Sequence, residues 1–149
     1  MEITTPVGAI LDTKGHQIWS VGPDATVYEA IELMAQKNVG ALPVLDGKTL
    51  LGMISERDYT RKVILQGRAS KGTRVMDIMT GKVITASPGD SVEDCLETMT
   101  NNHIRHLPVV EGGELVGLVS IGDLVNWIII AQSNQIDHLE RYVTGSYPA

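Results

Sequence analysis

The sequence predicts a mixed α/β (α+β) protein built from two copies of one β-α-β-β-α unit. The first observation is an internal repeat, in which Pro43 recurs at Pro108 and Asp58 at Asp123 with one shift of 65 positions (108 − 43). The second is that short apolar runs alternate with helical periodicity within each copy. Because so small a sheet is marginal alone, we expect the copies to pack about a pseudo-twofold axis that leaves clefts between them.

The first copy is predicted to contain two helices that flank a β-hairpin. After Thr26 the apolar residues recur at i, i+3, i+4 and i+7, the spacing of one helix face. The turn sequence Asp46-Gly47-Lys48 separates two apolar runs, which is typical of a hairpin. In chain order we expect a short helix or turn at 5–11, a strand at 17–21, a helix from 27, strands at 41–45 and 50–54, and a helix at 57–66.

The second copy repeats this order after a polar, glycine-bearing stretch. In chain order we expect a short helix at 75–79, a strand at 83–86, a helix from 92, strands at 107–110 and 115–119, and a last helix at 123–130 that extends or restarts through 136–143. The resulting boundaries are 5–66 for the first copy, 67–74 for the linker, 75–131 for the second copy and 132–149 for a C-terminal helix and tail.

Composition narrows the class of protein. The chain has 149 residues, 43% hydrophobic and 20% charged, which is ordinary for a globular protein. A formal charge of −6 argues against a general nucleic-acid binder. No signal-peptide pattern is visible, and the longest apolar stretch, 127–131, is too short to span a bilayer. A single cysteine, Cys95, excludes an intrachain disulfide, so we expect a cytoplasmic protein without membrane insertion.

An ordered set of short motifs occurs in both copies. Each has a Leu-Pro-Val strand, a glycine turn, a Leu-x-Gly strand and a Ser-x-x-Asp motif, at Ser55–Asp58 and Ser120–Asp123. This set resembles the CBS domain, named after cystathionine β-synthase, and two in tandem resemble a CBS pair, or Bateman module. The resemblance runs from about Thr5 to about Ile130. It implies that the clefts bind an adenine nucleotide (AMP, ADP or ATP, sometimes NAD(H) or S-adenosylmethionine) as a regulatory ligand, with no catalytic cofactor.

The Ser-x-x-Asp motifs suit such a ligand. Each lies where a strand runs into a helix, so backbone N–H groups and the helix dipole favour a phosphate there. The resemblance implies that Ser55 and Ser120 bond the phosphate and that Asp58 and Asp123 accept from the ribose hydroxyls. The alternative is local: a serine three residues before an acidic residue at a helix start also resembles a capping box. The same serine can serve both purposes.

Arginines distinguish the two motifs. Arg57 lies within the first motif and Arg61 follows one turn later, whereas Gly122 stands in the second. A guanidinium fork suits phosphate, so Arg57 is a candidate phosphate ligand and Arg61 a further one. The alternative is a solvated helix face on which these charges pair with neighbours.

The residues before each Leu-Pro-Val strand also differ. Arg105 and His106 in the second copy replace Gly40 and Ala41 of the first. In a CBS pair this position faces the cleft, so Arg105 or His106 is expected to reach a phosphate, while Gly40 and Ala41 leave room for the base. A surface role for His106 is the alternative.

The adenine requires an apolar slot edged by backbone hydrogen bonds. The leading strands and the proline strands of the two copies are placed to form it. The expected lining residues are Ile18, Pro43, Ile84 and Pro108.

Catalytic and metal-binding patterns are missing from the sequence. There is no P-loop, no nucleophile elbow and no Gly-x-Gly-x-x-Gly. Cys95 falls on the inward helix face and is expected to be inert core, and a zinc site is not expected. The protein is therefore predicted not to be an enzyme.

The last helix is apolar around most of its circumference, from Leu124 to Ile130, which indicates burial on several sides. We interpret it as a homodimer face. The leading hypothesis is an adenine-nucleotide sensor that changes conformation and acts on a regulated protein, whose identity the sequence does not give. The alternative is an interaction module that regulates an enzyme or transporter without needing a ligand.

Overall fold

The computed structural model describes residues 4–144, with side chains as far as residue 133. It confirms the predicted mixed class, since helices surround two small antiparallel hairpins. The helices are α1 (Val7–Lys14), α2 (Val27–Lys37), α3 (Glu56–Tyr59), a π-helix (Thr60–Ile64), α4 (Val75–Ile78), α5 (Val92–Asn102) and α6 (Ile121–Thr144). The strands are β1 (Ala41–Asp46), β2 (Thr49–Ser55), β3 (His106–Glu111) and β4 (Glu114–Ser120).

The chain divides into two compact units, each of which contains one Ser-x-x-Asp motif. The first-motif unit is formed by residues 17–85 and 108–117. The second-motif unit is formed by α1, residues 86–107 and the chain from 118 onward. Within the first-motif unit the core is aliphatic, because the apolar faces of α2 and the β1–β2 hairpin meet. Its buried residues are Val27, Ala30, Met34, Leu42, Val44, Ile54, Val63, Val75 and Ile78.

The helix that opens each copy in sequence packs in the unit that holds the other copy's motif. In the second-motif unit, the Val92 N–H donates to the carbonyl of Thr5 at 2.9 Å, just before α1. In the first-motif unit, the Val27 N–H donates to the carbonyl of Thr73 at 2.8 Å, just before α4. These equivalent bonds place α1 beside the second motif and α4 beside the first.

The β1–β2 hairpin fixes the position of the first motif. The strands are antiparallel with Ala41 paired to Ser55, so the motif serine lies opposite the first residue of β1. Gly47 in the turn has φ 63°, a conformation that glycine adopts without a steric cost. The last residue of β2 is thereby also the N-cap of α3.

The leading strands predicted at 17–21 and 83–86 are wrong in extent. In the first, only Val21 forms a bridge, parallel to Val44, with its N–H donating to the Pro43 carbonyl at 3.2 Å. The next bond toward the N-terminus would need an N–H from Pro43, and proline has none. The segment at 83–86 likewise forms no strand. Each copy therefore contributes a two-stranded hairpin in place of three strands.

The last helix continues without a break from Ile121 to Thr144. It therefore extends, as one of the two predicted alternatives required, and the predicted tail beyond 144 lies outside the described residues. Among the described helices, none is long and apolar enough to cross a membrane.

Candidate functional site

The first motif forms a reciprocal cap at the N-terminus of α3. The Ser55 N–H donates to Asp58 Oδ2 at 3.0 Å, and the Asp58 N–H donates to Ser55 Oγ at 3.2 Å. The Ser55 hydroxyl also donates to Asp58 Oδ2 at 3.1 Å. The motif therefore forms a capping box, with aspartate at the third helical position, where glutamate or glutamine is usual. The Asp58 side chain is 12% exposed, so it retains access to solvent.

The second motif repeats the arrangement at the N-terminus of α6. The Ser120 N–H donates to Asp123 Oδ2 at 2.8 Å, and the Asp123 N–H donates to Ser120 Oγ at 3.1 Å. The Asp123 side chain is 26% exposed. Both motifs therefore present a partly exposed carboxylate held by the same cap, which agrees with their equivalence in the sequence repeat.

A lysine is paired with each motif aspartate. Lys62 Nζ lies 3.1 Å from Asp58 Oδ1 and donates to the Ile78 carbonyl at 2.9 Å. Lys14 Nζ lies 2.5 Å from Asp123 Oδ2 and donates to the Leu118 carbonyl at 2.8 Å. Each ammonium is thus held by one carboxylate and one backbone carbonyl.

These two lysines come from different places in the repeat. Lys62 lies one helical turn after Asp58, and the corresponding position of the second copy (62 + 65) is Trp127. The second motif obtains its lysine from the last residue of α1, because α1 has eight residues where α4 has four. Both motifs therefore have a lysine–aspartate ion pair, but the lysine comes from a different part of the repeat in each.

The residues before each Leu-Pro-Val strand lie beside the motifs, as the repeat suggests. The Glu56 N–H donates to the Gly40 carbonyl at 3.1 Å, and the Ile121 N–H donates to the Arg105 carbonyl at 2.9 Å. Ala41 is buried opposite Ser55, whereas the equivalent His106 is half-buried; Arg105, which replaces the half-buried Gly40, is exposed. The two surroundings thus differ in polarity.

The remaining candidate residues fall into three groups. Arg57 and Arg61 are exposed, on α3 and the π-helix respectively. His106 begins β3 and is half-buried. The apolar candidates are divided, since both prolines are buried within strands and both isoleucines are half-buried outside strands: Pro43, Pro108, Ile18 and Ile84. The roles assigned to these residues stay predictions.

The charge environment of the second motif favours an ionised aspartate. Burial raises the pKa of Asp123, but hydrogen bonds from Lys14 and Ser120 and the charge of Lys14 outweigh it. The pKa of Asp123 therefore lies below its ordinary value. The carboxylate is therefore a hydrogen-bond acceptor at neutral pH.

The Cys95 thiol is free and buried. Burial, with smaller contributions from Asp90 and Asp94, raises the pKa of the Cys95 thiol to about 11, so it is a poor nucleophile. Among the described residues, no cluster of three or more histidine, cysteine, aspartate or glutamate side chains could hold a metal ion.

The motif residues were candidates from the sequence, whereas the lysines that pair with them were not. Lys62 could have been found from its i, i+4 spacing to Asp58, which on a helix places opposite charges together. Lys14 carries no such signal, because it is separated from Asp123 by most of the chain.

Comparison with known proteins yields a consistent set of relatives. A sequence model described as the CBS domain matches residues 7–64 and 75–130. CBS domain-containing protein CBSX3, mitochondrial, from Arabidopsis thaliana is 40% identical over an alignment of 154 residues. The alignment covers 97% of this chain and 74% of that protein. CBS domain-containing protein YhcV from Bacillus subtilis is 38% identical over 118 residues, which cover 79% of this chain and 84% of that protein.

A solved structure gives the same result. The structure of a protein with CBS domains from Burkholderia ambifaria has a TM-score of 0.82 to this chain at 50% sequence identity. The match covers 86% of this chain and 96% of that one. Sequence and fold comparisons therefore agree over both motifs.

Proposed function

Because this chain belongs to the CBS-domain family and carries the domain twice, we propose that it is a regulatory module whose Ser-x-x-Asp motifs bind an adenine nucleotide. CBS domains commonly bind adenosine nucleotides as regulatory ligands. The proposed ligands are AMP, ADP and ATP, with NAD(H) as a further possibility. The role is non-catalytic: the ligand favours one conformation of the protein, and a partner protein responds to it.

The observation that carries this proposal is the pair of equivalent carboxylates. Asp58 and Asp123 are both held in the first turn of a helix by reciprocal bonds with the motif serine, and both reach solvent. A carboxylate fixed in this way accepts two hydroxyl donors, which is how acidic residues bind the ribose of a nucleotide. Capping alone does not require that the aspartate reach solvent in both copies.

Titration of the wild-type protein with AMP, ADP, ATP and NADH in a calorimeter tests the function. We expect saturable binding of at least one adenine nucleotide, and no saturable binding of the matched uridine nucleotide, because uracil would not fill an adenine slot. Mass spectrometry of small molecules that co-purify provides an independent identification. A protein that binds no adenine nucleotide at millimolar concentration would contradict the proposal.

One observation favours a second candidate, a ligand-independent interaction module. Each motif aspartate is already satisfied by a backbone N–H and a lysine, so the motifs are complete as structural caps. On this view the protein binds its partner equally well with and without nucleotide. Co-precipitation of the partner under both conditions separates the candidates, since a nucleotide sensor requires a difference.

We also propose that α6 mediates a homodimer. Ile121, Val125 and Ile129 follow one another at i, i+4 and i+8 with 36%, 43% and 54% exposure, while Leu124, outside this row, is buried. An apolar stripe of this spacing is suited to a second copy of itself across a twofold axis.

The double substitution Val125→Glu/Ile129→Glu is expected to convert the dimer to monomer, because it places like charges opposite each other in an apolar contact. Light scattering coupled to size exclusion measures the mass. Met76→Glu is the matched control, since Met76 on α4 is 47% exposed but outside the stripe. A dimer that survives the double substitution would contradict the assignment.

A further inference from the structure

The lysine–aspartate pair is common to both motifs although the lysines are not equivalent in the repeat. Lys62 comes from the π-helix that follows the first motif, and Lys14 from the end of α1. Surface ion pairs by themselves contribute little to stability. A pair formed twice by different routes, at the residue proposed to bind ribose, instead indicates a role in binding.

We propose that Lys14 and Lys62 are specificity-determining residues that make each motif select a phosphorylated ligand over the free nucleoside. This inference rests on the proposed function. Lys62 Nζ contacts Asp58 Oδ1, whereas Lys14 Nζ contacts Asp123 Oδ2, the oxygen that also accepts from the Ser120 N–H. A ribose diol bound through both carboxylate oxygens would meet the lysine at one of them. The ribose therefore competes with the lysine for the aspartate.

Charge balance explains why a phosphate changes the outcome. A neutral nucleoside whose hydroxyls bind the aspartate replaces the direct contact between ammonium and carboxylate and supplies no other negative group, which is unfavourable for a partly buried charge. Lys14 and Lys62 are 38% and 40% exposed, so they are only partly solvated. The phosphate of a nucleotide supplies the missing negative charge.

The second bond of each lysine keeps it near the motif after the exchange. Lys14 remains anchored to the Leu118 carbonyl at the end of β4, and Lys62 to the Ile78 carbonyl at the end of α4. Both acceptors are backbone carbonyls of other residues, so they stay available to the lysine when the ribose binds the aspartate. The cation is therefore retained in the site as a phosphate partner.

The test compares AMP with adenosine, measured by calorimetry for the wild type and for Lys14→Gln/Lys62→Gln. Glutamine can still donate to the backbone carbonyl but carries no charge. We expect the wild type to prefer AMP, and the ratio of the adenosine Kd to the AMP Kd to fall about 10-fold in the variant. The AMP Kd should rise and the adenosine Kd should stay equal or fall.

Lys48→Gln is the matched control, since Lys48 is 80% exposed and pairs with Glu114 at 3.9 Å, away from both motifs. Its Kd ratio should equal that of the wild type. An unchanged ratio in the double variant, or an equal loss for both ligands, would overturn the selectivity role while the proposed function stands. A wild type that binds neither ligand would overturn the proposed function and this inference together.

Discussion

Loss of about 10-fold in AMP affinity is the expected result of the double substitution Asp58→Asn/Asp123→Asn. Hydrogen bonds to a charged group are worth about 1.5–3 kcal/mol, and each 1.4 kcal/mol is a factor of about ten. We use the lower end of this energy range because ribose binding also breaks the lysine–aspartate contact, which offsets part of the affinity that the hydrogen bonds provide. Asparagine keeps one oxygen for the Ser55 and Ser120 N–H groups, so the caps persist and the fold is maintained.

A ligand without ribose hydroxyls separates binding from capping. The wild type should bind 2′,3′-dideoxy-AMP about as weakly as the double variant binds AMP, and the two changes combined should add little. Glu29→Gln is the control, because Glu29 completes a capping box with Thr26 at α2 and lies outside both motifs. If the variant loses as much affinity for dideoxy-AMP as for AMP, the aspartates do not contact the ribose.

Gly52→Ala is expected to destabilise the protein by about 1–3 kcal/mol, the cost of overpacking a tight contact. A Cβ at Gly52 would lie 2.7 Å from the Thr80 carbonyl oxygen and 2.8 Å from Met79 Sδ. Thr80 is fixed by two hydrogen bonds with Met53, the residue after Gly52, so the backbone does not easily retreat. Thermal unfolding should show a midpoint lower by roughly 3–10 °C.

Gly81→Ala is the matched control for this substitution. Gly81 follows Thr80 directly, yet a Cβ there meets nothing within 4 Å, and its φ is not in the left-handed region. Its unfolding midpoint should match or slightly exceed the wild type. Equal midpoints for both variants would show that the segment after α4 moves aside without cost.

The sequence was sufficient for the hairpins, the helices and the motifs because these depend on local signals. Thr26 and Ser55 begin helices by capping, and the Asp46-Gly47-Lys48 turn requires the positive φ seen at Gly47. Strand length was overestimated at 17–21, since an apolar run does not reveal that its pairing partner is a proline. That information lies on another strand.

The lysines of the candidate site show a different limit. Lys62 lies four residues after Asp58, a spacing at which opposite charges meet on a helix, so its ion pair is accessible from sequence. Lys14 reaches Asp123 only because α1 packs in the second-motif unit. No periodicity or motif in residues 5–14 indicates which part of the chain that helix joins, so only tertiary structure reveals the pair.

The crossed placement of α1 and α4 has a consequence for how such a chain could arise. A single ancestral copy that folded through the same contacts would have to exchange its opening helix with that of a second molecule. Its stability would then depend on protein concentration. Duplication and fusion of the gene place both helices on one polypeptide, which replaces a bimolecular step by an intramolecular one with a high effective concentration. A tandem repeat would then hold on one chain the contacts that a single copy could make only with a second molecule.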